Sequence, residues 1–311
     1  MPLPLLPQQI HPVDARQKEL TDRLLLPQTD ALMEYFLGVR RELDRTFSVQ
    51  LPPAGGKPYP YGRCEEITGA VLAHLQRALQ APRHPVEHIL REFLLAGGAV
   101  RSIWGVLRGI YFQNALQFGG LYIDVSNDTV VVTKPKVEIL PIEACGLENV
   151  RDIDHFVATA ASYWGASIFA NTLVPGLAPI LPMITVAPGK LLPGLQSACD
   201  YMIELMCRDE FRQAEAWLLA APEPSEDARE FITRTLPPDL AAKTIDGRGE
   251  ALAACRAARA AGRGHDAEWR GARIRDYLRS REPAAVAKPV ARAAESPSVT
   301  SAQRLLNTSF W

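Results

Sequence analysis

The side chains most able to do chemistry gather in residues 118–128, Phe-Gly-Gly-Leu-Tyr-Ile-Asp-Val-Ser-Asn-Asp. Asp124, Asn127 and Asp128 bring oxygen-bearing side chains together within this short stretch. Such oxygens are hard ligands, suited to magnesium, manganese or calcium rather than to zinc or copper. The glycine pair just upstream leaves room for a ligand backbone or a phosphate to approach closely. The same residues also make a good turn, because Asn and Asp side chains bond their own backbone. The cluster therefore reads either as a cation site or as a stapled bend. Arg108 and Lys134 flank it and could hold phosphates, with Tyr122 beside them as a substrate contact. On an edge strand, Lys134 and Lys136 would instead block pairing with another sheet.

A second candidate is Cys64, which follows the Pro/Gly/Tyr-rich loop 51–62 and opens an expected helix from Cys64 to Gln80. A thiol at a helix N-terminus feels the positive end of the helix dipole, which favours thiolate. Cysteine hydrolases and acyltransferases need such a nucleophile, together with a base. His155 is the best base by position, with Asp124 as a possible orienter, whereas Glu65 and Glu66 crowd the thiol and oppose its ionisation. A small buried cysteine is the plainer alternative.

The run from Phe118 to Asp128 resembles the segment around the DXD motif of glycosyltransferases that use nucleotide sugars. In that family the motif's acidic pair holds a divalent metal that bridges the nucleotide diphosphate. The resemblance implies a metal-assisted transferase using Mg or Mn, with Asp124 as a ligand and a nucleotide sugar as substrate. The family's second Asp falls at Ser126, so Asn127 or Asp128 would stand in for it.

The 311 residues are enough for a sizeable core. Hydrophobic residues make up 47% and charged residues 22%, an ordinary globular composition. A net charge of −1 gives no global pull towards nucleic acid or a membrane surface. The five cysteines form no Cys-x-x-Cys pair, so neither a zinc site nor a disulfide framework follows. Reduced thiols and an N-terminus without a signal-peptide pattern point to a cytoplasmic protein. The Ala, Arg and Pro content points to a bacterial source.

The positioning elements follow from periodicity. Thr29 to Phe47 reads as a helix with Leu32, Phe36, Val39 and Leu43 on one stripe and Arg40 turned away. Val86 to Ala96 and Val100 to Phe118 read as further helices, the second leading straight into the glycine pair. Leu121 to Val125, Val130 to Val132 and Val137 to Leu140 read as strands. Phe156 to Gly189 carries no charge. That raises the membrane question, but its prolines and polar residues favour a buried core helix over 156–174 followed by a loop. Leu195 to Leu219 and Glu226 to Thr235 complete the expected helices. The fold expected is α+β: a mostly helical domain over 1–236 with a small sheet near 121–140. Residues 237–311 read as an Ala/Arg-rich flexible tail, with weak helices within 250–281 and disorder over 283–303. Its closing Leu305, Leu306, Phe310 and Trp311 suit a protein partner, which makes a non-catalytic interaction protein the third functional reading.

Overall fold

The computed structural model describes residues 5–187, 194–197 and 199–281. The expectations for 283–303 and for the closing apolar motif lie outside these residues. Four helices come first: α1 (Ala15–Leu20), α2 (Thr29–Gln50), α3 (Cys64–Ala78) and α4 (Pro85–Leu95). Between α1 and α2 the chain keeps turning helically through Thr21–Leu25 and Leu26–Gln28. On α2, Leu32, Phe36 and Val39 face inward as their spacing predicts. Burying each such side chain contributes about 1.5–3 kcal/mol. Arg40 contradicts the expectation, because its side chain is fully buried.

The segment Val100–Phe118 is not a helix. It is a hairpin of β1 (Val100–Leu107) and β2 (Tyr111–Phe118), paired from Val100↔Phe118 to Leu107↔Tyr111. The helix-like spacing of its large apolar residues misled because a strand buried on both faces is also apolar nearly throughout. The deciding signal is the turn. Arg108 and Gly109 both take left-handed φ, and the Ile110 amide donates to the Leu107 carbonyl at 3.0 Å. Two consecutive left-handed residues make the tight turn that suits a twisted hairpin.

Gly119 and Gly120 form the next turn, joining β2 to β3 (Leu121–Asp124). Gly119 is left-handed, and a Cβ there would collide with Thr21 Oγ1. That hydroxyl is already fixed, donating to the Gln17 carbonyl and accepting from the Gly120 amide. The strand expected over Val130 to Val132 is a set of turns instead. The later one is present as β4 (Glu138–Pro141), and β5 (Leu147–Glu148) closes a five-stranded antiparallel sheet in the order β4-β3-β2-β1-β5.

The charge-free stretch does not form one helix. α5 (Ile153–Trp164) ends at a left-handed Gly165, and the chain then enters β6 (Ser167–Ala170). β7 (Met183–Val186) and β8 (Gly194–Leu195) join it in a three-stranded antiparallel sheet. No helix among the described residues is long and apolar enough to cross a membrane. The helix expected over Leu195 to Leu219 is two, α6 (Asp200–Arg208) and α7 (Arg212–Ala220), broken where Glu210 and Phe211 turn left-handed. α8 spans Glu226–Thr235, as predicted.

Residues beyond 236 are not simply tail. α9 (Gly247–Ala260) and α10 (Ala267–Arg281) pack on the body. Ala251, Cys255, Ala258 and Tyr277 join Leu218 in the larger core. Sequence reading missed this because alanine methyls bury well while carrying little hydropathy. The fold is α+β with a mainly helical body. One core lies between α1–α4 and one face of β2 and β3. A second gathers α5–α10 against Trp104, Val106 and Phe112, and a third covers the opposite sheet face around Tyr111 and Tyr122.

Replacing Gly119 by Ala adds a left-handed alanine and a clash with Thr21. Urea unfolding should show a loss of about 2–3 kcal/mol; a loss below about 0.5 kcal/mol would contradict the close approach described for this turn.

Candidate functional site

Strand alternation divides β2. Tyr111, Gln113 and Ala115 point to one face, and Phe112, Asn114 and Leu116 to the other. On the second face Phe112 belongs to the larger core and Leu116 to the core of α1–α4. Asn114 therefore sits where the two cores meet. α3 packs across this face, and its first residue is Cys64. Asn114 Nδ2 donates to the Cys64 sulfur at 3.5 Å. Thr68, one turn along α3, and Ser126 both donate to the Asn114 carbonyl, at 3.3 and 3.1 Å.

The Cys64 residue is half-buried, and Cys199 is the other cysteine that is not buried. Burial raises the Cys64 pKa above the ordinary thiol value, and the nearby Asp124 and Glu65 charges act in the same direction. The hydrogen bond from Asn114 works against them. At rest the group is a thiol.

His155 is not its partner. It lies in the first turn of α5, where its amide donates to the capping Asp152 carboxylate at 2.7 Å and its Nδ1 accepts from the Arg151 amide at 3.3 Å. The α5 residue close to Cys64 is Tyr163, whose ionisation a Cys64 thiolate would oppose. Tyr163 lies about 12 Å further along the helix axis from His155. The expected thiol–imidazole pair is thus not brought together.

Asp124 ends β3 completely buried. Its Oδ2 accepts from Gln113 Nε2 at 2.7 Å and from the Tyr122 hydroxyl at 3.0 Å. Its Oδ1 accepts from the Ser126 amide at 2.8 Å and the Ser126 hydroxyl at 3.1 Å. Burial pushes its pKa up to about 6, against the pull of these four donors. Gln113 Oε1 is buried without a partner. Tyr122, expected to contact substrate, is fully buried and serves Asp124.

Asp128 is occupied differently. It accepts from both terminal guanidinium nitrogens of Arg40, Nη1 and Nη2, at 3.1 and 3.2 Å. Arg40 also donates to the Val125 carbonyl and to Asp44, at 3.2 Å from both Nε and Nη2. Asp44 in turn accepts from Lys136 and, at 2.5 Å, from the Tyr59 hydroxyl. Burial works to raise the Asp44 pKa, but Lys136, Tyr59 and Arg40 outweigh it and hold it below the ordinary carboxylate value. The third expected cation ligand, Asn127, uses its amide nitrogen on the Pro135 carbonyl at 2.9 Å, and its buried Oδ1 has no protein partner.

These contacts bear directly on the expected cation site. A dication at Asp124 would have to displace four donors, and one at Asp128 would face the Arg40 guanidinium and the Lys136 ammonium. No group of three His, Cys, Asp or Glu suited to holding a metal occurs among the described residues. The expected phosphate contacts are engaged elsewhere. Arg108 pairs with Glu138 at 2.7 Å, and Lys134 donates to the Tyr111 hydroxyl at 3.1 Å. The important residues that sequence reading missed are Arg40, Asp44, Tyr59, Gln113 and Asn114. The i, i+4 spacing of Arg40 and Asp44 is the one available signal, and such pairs ordinarily lie on a helix surface.

No family model, curated protein or solved structure matches the chain.

The raised pKa of Asp124 gives a pH signature. Its folded value, about 6, lies above the unfolded value near 3.8. The associated stability is therefore fully present below the unfolded value and lost as pH rises through the folded one, by about 3 kcal/mol in all. Asp124→Asn should abolish this dependence, with Gln113 turning its unpartnered oxygen to the new amide. Relative to wild type, the variant should gain about 2–2.5 kcal/mol between pH 4 and pH 7. Parallel stability–pH curves for the two proteins would refute the assignment.

Proposed function

We propose that the protein is a thiol enzyme, a cysteine hydrolase or acyltransferase, with Cys64 as its nucleophile. The observation that carries this reading is one half-buried thiol at the start of α3, set against the Asn114 amide where two cores meet. Three of the other four cysteines are buried, and burial raises the pKa of Cys64 and Cys199 alike. The Asn114 donor favours the anionic sulfur that attack requires. In the acylation step the sulfur–carbon bond forms and the bond from the acyl carbon to its leaving oxygen or sulfur breaks. The thiol proton ends on the leaving group. Water or another nucleophile then takes the acyl group by the reverse chemistry.

The metal-assisted transferase reading needs a cation where Asp124 already serves four donors, and no contact in the site favours it over the thiol. The tail-based interaction reading concerns residues beyond those described.

The test is acylation by p-nitrophenyl acetate, followed by intact mass and peptide mapping. The expected result is one acetyl group on Cys64, formed with a matching release of nitrophenol and lost in Cys64→Ser. Acetylation shared equally with Cys199, or absent from Cys64, would overturn the reading.

A further inference from the structure

The two sides of the thiol site come from segments far apart in the chain, yet both are tied to one short stretch of α2. The nucleophile side is loop 51–63, which runs straight into Cys64. The donor side is the segment after β3, where Ser126 supports the Asn114 carbonyl. Asp44 holds the first through the Tyr59 hydroxyl at 2.5 Å and the second through Lys136. Arg40, one turn earlier, holds the second again through Asp128 and the Val125 carbonyl. The segments are also joined directly, with the Gly62 amide donating to the Thr129 carbonyl at 2.8 Å. Thr129 in turn donates its hydroxyl to the Ser126 carbonyl at 2.7 Å.

We propose that Asp44 is a positioning residue for the Cys64 site, fixing through Tyr59 the loop that delivers the thiol to Asn114. This rests on the reading of Cys64 as the reactive group and adds how its setting is controlled. Asp44 suits the task because it is shared. One carboxylate accepts from the phenol of one segment and the ammonium of the other, so the spacing between the two segments follows from its geometry. Neutral hydrogen bonds from tyrosine and charged ones from lysine would be weak at the surface. Here Asp44 is largely buried, which strengthens its bond from Tyr59, while the Lys136 side chain stays partly exposed. Tyr59 meets no other hydrogen-bond acceptor among the contacts described, while its ring packs edge-on against Phe47, with centroids 6.4 Å apart. Removing the hydroxyl alone therefore cuts the tie and leaves the ring packing in place.

The experiment compares wild type with Tyr59→Phe in the full chain. Alkylation of each cysteine by iodoacetamide is followed by peptide mapping from pH 7 to pH 10. Burial is what holds the Cys64 thiol up. Loosening the loop should lower its apparent pKa, which raises its rate at pH 8 about three- to tenfold. Cys199, the other half-buried thiol and on a different element, is the reference and should keep its wild-type rate. An unchanged Cys64 profile would overturn the inference. So would a parallel rise at Cys199, which reports general loosening rather than positioning. The function reading is tested separately by the acylation of the wild-type protein, so the two can fail independently.

Discussion

A guanidinium with no exposure to water lies at the centre of this fold. Arg40 is the largest fully buried side chain in the described protein. Taking such a charge out of water costs several kcal/mol unless its donors are met with good geometry. Here they are met by two carboxylates and two backbone carbonyls. The planar fork explains the choice of residue, since lysine could not reach Asp44, Asp128 and Val125 at once. α2 and the loop after β3 meet on this group, and loop 51–63 reaches it through the Tyr59–Asp44 hydrogen bond.

The acidic residues of the 118–128 stretch consequently split into two roles. Asp128 faces the guanidinium and belongs to the framework. Asp124 sits among neutral donors, where burial wins over hydrogen bonding and its pKa rises to about 6. Two carboxylates four positions apart thus experience opposite electrostatic surroundings, and neither is left open in the way a cation site requires. The Cys64 sulfur lies on the far side of β2, in a half-buried residue, linked to Asp124 through Ser126 and the strand itself.

Much of the framework was legible in the sequence. The apolar stripe of α2, the helix opened by Cys64, the helix Glu226–Thr235 and the short strand after the glycine pair all form where their patterns place them. The hairpin of β1 and β2 was not legible from hydropathy, because a strand covered on both faces loses the alternation that identifies it. The break between α6 and α7 depends on left-handed Glu210 and Phe211, residue types that give no warning of it. In the site, Cys64 was legible from its position at a helix start. Asn114 was hidden inside a segment read as helix. Arg40 was hidden because a charged side chain on an amphipathic helix is ordinarily solvated, and only the distant Asp128 reverses that expectation. The glycine pair drew attention for the room it offers a ligand, whereas its space is filled by Thr21.

The most direct measurement is a double-mutant cycle in urea between Arg40→Ala and Asp128→Asn. If the buried guanidinium holds the segments together, Arg40→Ala alone should cost about 3–5 kcal/mol, because it strands a buried carboxylate. Adding Asp128→Asn to that variant should then restore part of the loss, giving a coupling energy above about 1 kcal/mol. A cost below about 1 kcal/mol for Arg40→Ala, with additive effects of the two substitutions, would contradict the account.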